Sequence, residues 1–223
     1  MVAEYPHDPA AFTQGLLWYD GSLYESTGQY GESTLRRVDL ASGRVEQRVD
    51  LAAEFFGEGL ERVGERLVLL TWKEQVALVF DLASFEEVER RHYLGQGWGL
   101  CFDGVDLVRS DGTARLSFHD AKSFSQLRQV EVRLGGRPLA NLNELECVDG
   151  MVWANVWQTD SLVAFDPDSG EVTTVVDASG LLTEEERADA GVLNGIAHLD
   201  GTDRFLLTGK HWPWVFEVRF VPR

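Results

Sequence analysis

The chain has 223 residues, 44% of them hydrophobic, and a formal net charge of −17 at pH 7. This length allows one large β domain with a substantial core, and no uncharged apolar run is long enough for a membrane-spanning helix. The acidic balance repels nucleic acid and anionic membrane surfaces, so neither is expected as a partner.

The five histidines (His7, His92, His119, His198 and His211) form no HxxH or HExxH pattern, so no metal site is expected from them. Cys101 and Cys147 show neither metal-binding spacing nor a disulfide framework, and both read as buried thiols on strands. No signal peptide precedes Glu4-Tyr5-Pro6, which leaves the compartment open: periplasmic or secreted if a leader has been trimmed, cytoplasmic otherwise.

Taken in order, the chain repeats one unit five times. The pairs Gly15-Leu16, Gly59-Leu60, Gly99-Leu100, Glu144-Leu145 and Gly195-Ile196 recur at intervals of about 45 residues. Each opens a short apolar strand that ends in a tight turn: Asp20-Gly21, Gly64-Glu65, Asp103-Gly104, Asp149-Gly150 or Asp200-Gly201. Asp-Gly between apolar runs signals a hairpin, because a type I′ turn needs positive φ. A second strand follows each turn, as at 66–71 and 151–156, and then a third at 34–38, 76–80, 114–118, 162–165 or 215–218.

The first four units continue through an Asp-containing turn (Asp39, Asp81, Asp120 or Asp166) into an outer strand at 45–51, 86–93, 127–134 or 171–176. Four strands per repeat describe a propeller blade. The fifth unit ends one strand short, and 2–5 has no other partner. It is expected to supply the missing outer strand and close the ring, leaving no exposed edge. The fold class is thus all-β, a single five-bladed propeller of four-stranded antiparallel blades spanning 1–223. A helix is expected at 183–190, where Thr183 and Glu186 form a capping box, and a helical turn at 50–55.

Aligning the repeats isolates a site. Gln14, Glu58, Trp98, Asn143 and Asn194 stand just before the five first strands, whose ends should ring one mouth of the channel. Gly28, Trp72, Asp111, Trp157 and Lys210 stand at the second-strand ends and should form an outer ring around it. Phe12 and Phe56 precede Gln14 and Glu58 by two residues. Glu58 lies between glycines and after an aromatic pair, surroundings that raise a carboxyl's proton affinity and suit it to proton transfer. Converging carboxylate, ammonium, carboxamides and aromatics describe a ligand pocket.

These residues occur in segments that resemble the zinc-independent glutaminyl cyclotransferases of plants and bacteria. The segments are Phe12-Thr13-Gln14-Gly15, Phe56-Gly57-Glu58-Gly59, Thr71-Trp72, Gly97-Trp98-Gly99, Leu142-Asn143-Glu144, Asn155-Val156-Trp157, Leu193-Asn194-Gly195 and Thr208-Gly209-Lys210. The resemblance runs end to end and implies a five-bladed propeller that converts an N-terminal glutamine to pyroglutamate with release of ammonia. It implies Glu58 as the acid/base, and Phe12, Gln14, Phe56, Trp72, Trp98, Asn143, Trp157 and Lys210 as the residues shaping the pocket. The expected partner is a peptide or protein beginning with glutamine, acted on by a monomer. Some relatives carry a calcium ion in the channel; no side-chain signature for one is visible here, and no cofactor is required.

The chemistry needs a donor for the oxyanion, for which Asn143, Gln14 and the indole N–H groups are candidates. Lys210 either stabilises negative charge or holds the Glu58 carboxylate. Two rival readings are a calcium-dependent propeller lactonase, for which Glu58 and Asp111 are thin ligation, and a non-enzymatic peptide-binding propeller.

Overall fold

The computed structural model describes residues 1–222 and contains five four-stranded antiparallel sheets, each running from an inner to an outer strand. The inner strands are Thr13–Tyr19, Gly57–Val63, Leu100–Phe102, Leu142–Val148 and Leu193–His198. They touch one another in cyclic order, the fifth against the first, so the sheets form the five blades of a closed propeller. One buried apolar cluster fills each blade boundary. Leu17, Leu35, Leu60 and Phe80 belong to the first, while Leu16, Val38, Ala197 and Val215 close the last.

Ala3–Pro6 pairs antiparallel with Trp214–Arg219 as the outer strand of blade 5, closing the ring as expected. His7, one residue on, anchors the closure. Its Nε2 lies 3.0 Å from Glu25 Oε1 and its Nδ1 2.8 Å from the Trp212 carbonyl. Burial opposes the imidazolium, but the Glu25 carboxylate outweighs it and holds the His7 pKa above its ordinary value.

Local chemistry repeats with the blades. Asp39, Asp81, Asp120 and Asp166 each accept hydrogen bonds from the backbone N–H and hydroxyl of a serine three residues on, an Asx turn built four times over. The type I′ geometry holds at Asp20-Gly21 and Asp149-Gly150, where both residues have positive φ; at the Asp103 and Asp200 turns only the glycine does. The helix is a single turn, Glu184–Arg187, with Thr183 as N-cap and the expected capping box. The helical turn expected at 50–55 is absent: Asp50 ends the outer strand Arg44–Asp50, and a turn closed by Phe55 N on the Ala52 carbonyl follows. The outer strand expected at 127–134 stops at Glu131, and Arg133–Leu134 instead pairs with Arg137–Pro138 across Gly135-Gly136.

Cys101 and Cys147 are not free thiols: they form a disulfide between the inner strands of blades 3 and 4. Their separation of 46 residues is about one repeat, so the fold brings them to neighbouring inner-strand positions with Cα atoms 5.4 Å apart.

An inner strand has a sheet partner on one side only, so its remaining backbone amides need other acceptors. Glutamates of the same strands supply them across the blade boundaries. Glu144 accepts from Leu16 N at 3.3 Å and Ile196 N at 2.8 Å, Glu61 from Phe102 N at 3.0 Å, and Glu146 from His198 N at 2.9 Å. Burial, followed by the Glu146 charge, holds the Glu144 carboxyl well above the usual carboxylate range; burial, followed by Glu61, does the same to Glu146. Glu61 is pushed up by burial to about 7.

Candidate active site

In four blades the inner-strand ladder breaks at one place: between Thr13 and Gly15, Gly57 and Leu60, Leu142 and Leu145, and Leu193 and Ile196. Gln14, Glu58, Asn143 and Asn194 lie in these breaks. A bulge lifts a residue out of the ladder and re-aims its side chain. In blade 3 the strand starts only at Leu100, with Trp98 just ahead of it. The glycine that follows in these motifs has a packing cause. A Cβ on Gly59 would lie 2.6 Å from Leu100 N, so the neighbouring blade approaches as closely as bare backbone allows.

Phe12, Gln14, Phe56, Glu58, Trp72, Trp98, Asn143, Trp157 and Lys210 line a single cavity of about 310 Å³. The aromatic walls interlock, Phe12 edge-on to Phe56 at 6.0 Å, Phe56 against Trp72 at 5.4 Å, and Trp98 edge-on to Trp157 at 5.5 Å. A larger groove of about 800 Å³, along Thr173–Asp177 and residues 218–222, has chiefly aliphatic walls and none of these groups.

Glu58 is 4% exposed, and burial holds its carboxyl well above the usual carboxylate range. Lys210 pulls that value down and Glu74 pushes it up. Lys210 is itself buried, which lowers its pKa against the opposing pull of Glu58.

Asn194 does not line the cavity. It is fully buried behind Gln14, where its Nδ2 donates to Gln14 Oε1 at 3.0 Å and to the Thr13 carbonyl at 3.1 Å. With Oε1 engaged, the group that Gln14 offers the cavity is its Nε2 donor. Asn143, 2% exposed, also lines the cavity, and its Oδ1 is buried with no hydrogen-bond partner among the described residues.

Two of the indoles expected as oxyanion donors are committed elsewhere. Trp72 Nε1 and Trp98 Nε1 both donate to Gln96 Oε1, at 2.7 and 3.0 Å, so these rings present only their faces. Gln96, on the Gly95-Gln96-Gly97 loop, stands two residues before Trp98, the register position held by Phe12 and Phe56 in blades 1 and 2, and that spacing is the sequence signal for it; Glu74 has no such signal. The Glu74 carboxylate accepts from the Tyr30 hydroxyl at 2.7 Å and, chiefly through that bond, pushes the Tyr30 pKa up to about 12.

The two remaining second-strand positions have other roles. Gly28 makes room for the Phe56 ring, and Asp111 folds back onto Thr113 N at 3.0 Å. Among the described residues no group of three or more His, Cys, Asp or Glu is placed to hold a metal ion.

Fold and site together define a five-bladed propeller with an aromatic-walled pocket that holds a buried carboxyl and a buried lysine. The family model described as glutamine cyclotransferase matches residues 1–220. A glutaminyl-peptide cyclotransferase of Arabidopsis thaliana is 41% identical over 225 residues, covering 98% of this chain and 70% of that protein. The crystal structure of Myxococcus xanthus glutaminyl cyclase superposes with a TM-score of 0.89 at 41% identity, covering 98% of this chain and 94% of that one. Kuenenia stuttgartiensis hydrazine synthase, at 14% identity and a TM-score of 0.54 over 90% of this chain and 55% of its own, shares the fold alone. The chain belongs to the glutamine cyclotransferase family.

Proposed function

We propose that the chain cyclises the N-terminal glutamine of peptides and proteins to pyroglutamate, releasing ammonia, with Glu58 as the proton shuttle. The observation that carries this reading is a buried carboxyl of raised proton affinity sharing one aromatic-walled cavity with two carboxamides and an ammonium. The named activity of the 41%-identical relatives supports it.

The nucleophile, the substrate's α-amine, is tethered to its electrophile, the γ-carbonyl. The enzyme's first task is therefore to hold the chain folded back on itself. Ring faces of Phe56, Trp72 and Trp98 confine the methylenes and the flat carboxamide without competing charge. The α-amine has a pKa of about 7.7–8.0 in peptides, so a useful neutral fraction exists near pH 8.

As the amine nitrogen bonds to the γ-carbon, its proton passes to the Glu58 carboxylate. Negative charge gathers on the former carbonyl oxygen, and the donors for it are Gln14 Nε2, the Asn143 amide and Lys210. Glu58 then returns the proton to the departing nitrogen, the bond from the γ-carbon to that nitrogen breaks, and ammonia leaves. Expulsion of an unprotonated amide is prohibitively slow, so the return of this proton is the central act. No step in this scheme passes through a metal ion.

The test is incubation of the purified chain with a Gln-initiated dipeptide, with and without chelator. Ammonia and the lactam are expected in equal amounts under both conditions. No ammonia from any Gln-peptide would reject the reading.

A further inference from the structure

Gln96 bridges two walls of the pocket that come from different blades. Trp72 follows the second strand of blade 2, and Trp98 precedes the inner strand of blade 3. Both indole N–H groups converge on one atom of Gln96, at 2.7 and 3.0 Å, and two converging donors identify that atom as the carbonyl oxygen. Ring packing against Phe56 and Trp157 restrains each indole, and the bond to this acceptor adds the polar restraint that ties the two rings to each other.

The loop beneath Gln96 is held by a buried frame. Arg109 is 2% exposed and, among the described residues, has no ion-pair partner. Its guanidinium donates instead to the Gln96 backbone carbonyl, to the Leu94 backbone carbonyl at 3.1 Å and, through Nε, to His119 Nε2 at 3.2 Å. His119 accepts because burial pushes its pKa down to about 4, keeping the ring neutral, and its Nδ1 then donates to the Phe124 carbonyl. The guanidinium also lies over the Tyr93 ring, and Gly97 N bonds the Trp72 carbonyl at 2.9 Å. Backbone and guanidinium thus place a solvent-exposed carboxamide between two catalytic-pocket rings. An exposed hydrogen bond adds little to folding, about 1 kcal/mol, so stability is a poor account of such anchoring.

We propose that Gln96 is a positioning residue that sets the spacing and tilt of Trp72 and Trp98, and through them the fit to a glutamine side chain. The proposal rests on the cyclotransferase reading above. By occupying both indole N–H groups, Gln96 also keeps them from binding the γ-carbonyl in an unproductive pose, leaving that oxygen to Gln14, Asn143 and Lys210.

The test compares Gln96→Leu with Gln96→Glu in the full chain. Leucine keeps the bulk and removes the acceptor, whereas glutamate retains acceptor oxygens for both indoles. Gln96→Leu is expected to lower kcat/KM for a Gln-dipeptide about tenfold, mostly through KM, consistent with the loss of one or two hydrogen bonds. Gln96→Glu should recover most of that loss. In proton–nitrogen spectra, two of the seven tryptophan indole signals should move in Gln96→Leu and return toward their places in Gln96→Glu. Kinetics of Gln96→Leu within twofold of the parent, equal losses in both variants, or unmoved indole signals each overturn the proposal. A parent chain that releases no ammonia instead rejects the cyclotransferase reading, and the indole spectra then still decide whether the clamp exists.

Discussion

The Lys210 ammonium stands 4.5 Å from the centroid of the Phe12 ring and is not ion-paired with the Glu58 carboxylate, although both groups border the same cavity. The aromatic face holds the cation by its ring quadrupole and leaves its N–H groups available to the negative charge that the proposed reaction develops. Lys210 therefore acts on Glu58 through space, lowering its proton affinity, while burial and Glu74 raise it.

That balance is testable by opposite displacements of one pH profile. In the proposed scheme Glu58 must be ionised to accept a proton, so kcat/KM should rise through its pKa on the acid side. Lys210→Met removes a charge that lowers this pKa, and the acid limb should move to higher pH. Glu74→Gln removes a charge that raises it, and the limb should move to lower pH. Both variants shifting in the same direction would contradict the electrostatic account.

Replacing Glu58 by Gln preserves shape and removes the proposed base. We expect kcat to fall by about 10²–10⁴-fold, the usual range for general acid–base catalysis, with the thermal midpoint unchanged or raised. The midpoint should not fall, because the substitution also removes a buried charge. Full activity in Glu58→Gln would falsify the assigned role.

The channel carboxylates make a claim about stability. Glu61 titrates near 4.5 when unfolded and about 7 when folded, so between these values the folded chain binds more protons. This contribution is complete below about pH 4.5 and is lost as pH rises to about 7, a swing on the order of 3 kcal/mol. Glu61→Gln, which still accepts from Phe102 N, should flatten that part of the stability curve. Denaturant titrations of both proteins across this range measure the difference directly; parallel curves would refute it.

The Cys101–Cys147 bridge closes a loop with a sequence separation of 46 residues. Chain-entropy arguments give such a link about 2–4 kcal/mol. The double variant Cys101→Ser/Cys147→Ser, and equally the reduced parent, should unfold at correspondingly lower denaturant with the pocket chemistry intact. Identical midpoints for oxidised and reduced protein would count against a formed bridge.

Much of this site could be read from spacing because a ring forces its repeats to superimpose. The first strands must approach a common axis, so the residues before them meet whether or not they are near in sequence. The glycines beside Glu58 and Trp98 record how closely neighbouring blades approach there. Side-chain direction was not readable in the same way. Asn194 occupies an equivalent register position yet turns behind Gln14, because burial leaves its amide no partner but Gln14 Oε1 and the Thr13 carbonyl. Gln96 holds the register position of Phe12 and Phe56, but a carboxamide there in place of a ring shows its purpose only through the two indoles it binds. The pairing of Cys101 with Cys147 is invisible in local spacing, because the distance that matters is one whole blade. Glu61, Glu144 and Glu146 look like polar interruptions of apolar strands until the unpaired amides opposite them are seen.

Those cross-boundary carboxylates also bear on how the molecule comes apart. Because the amides of one blade are capped by side chains rooted in another, excising a blade would strip its neighbours of acceptors at the axis as well as exposing their flanks. The five units are thus not interchangeable modules, and amide exchange near the axis should report one collective opening event and no sequence of peripheral ones.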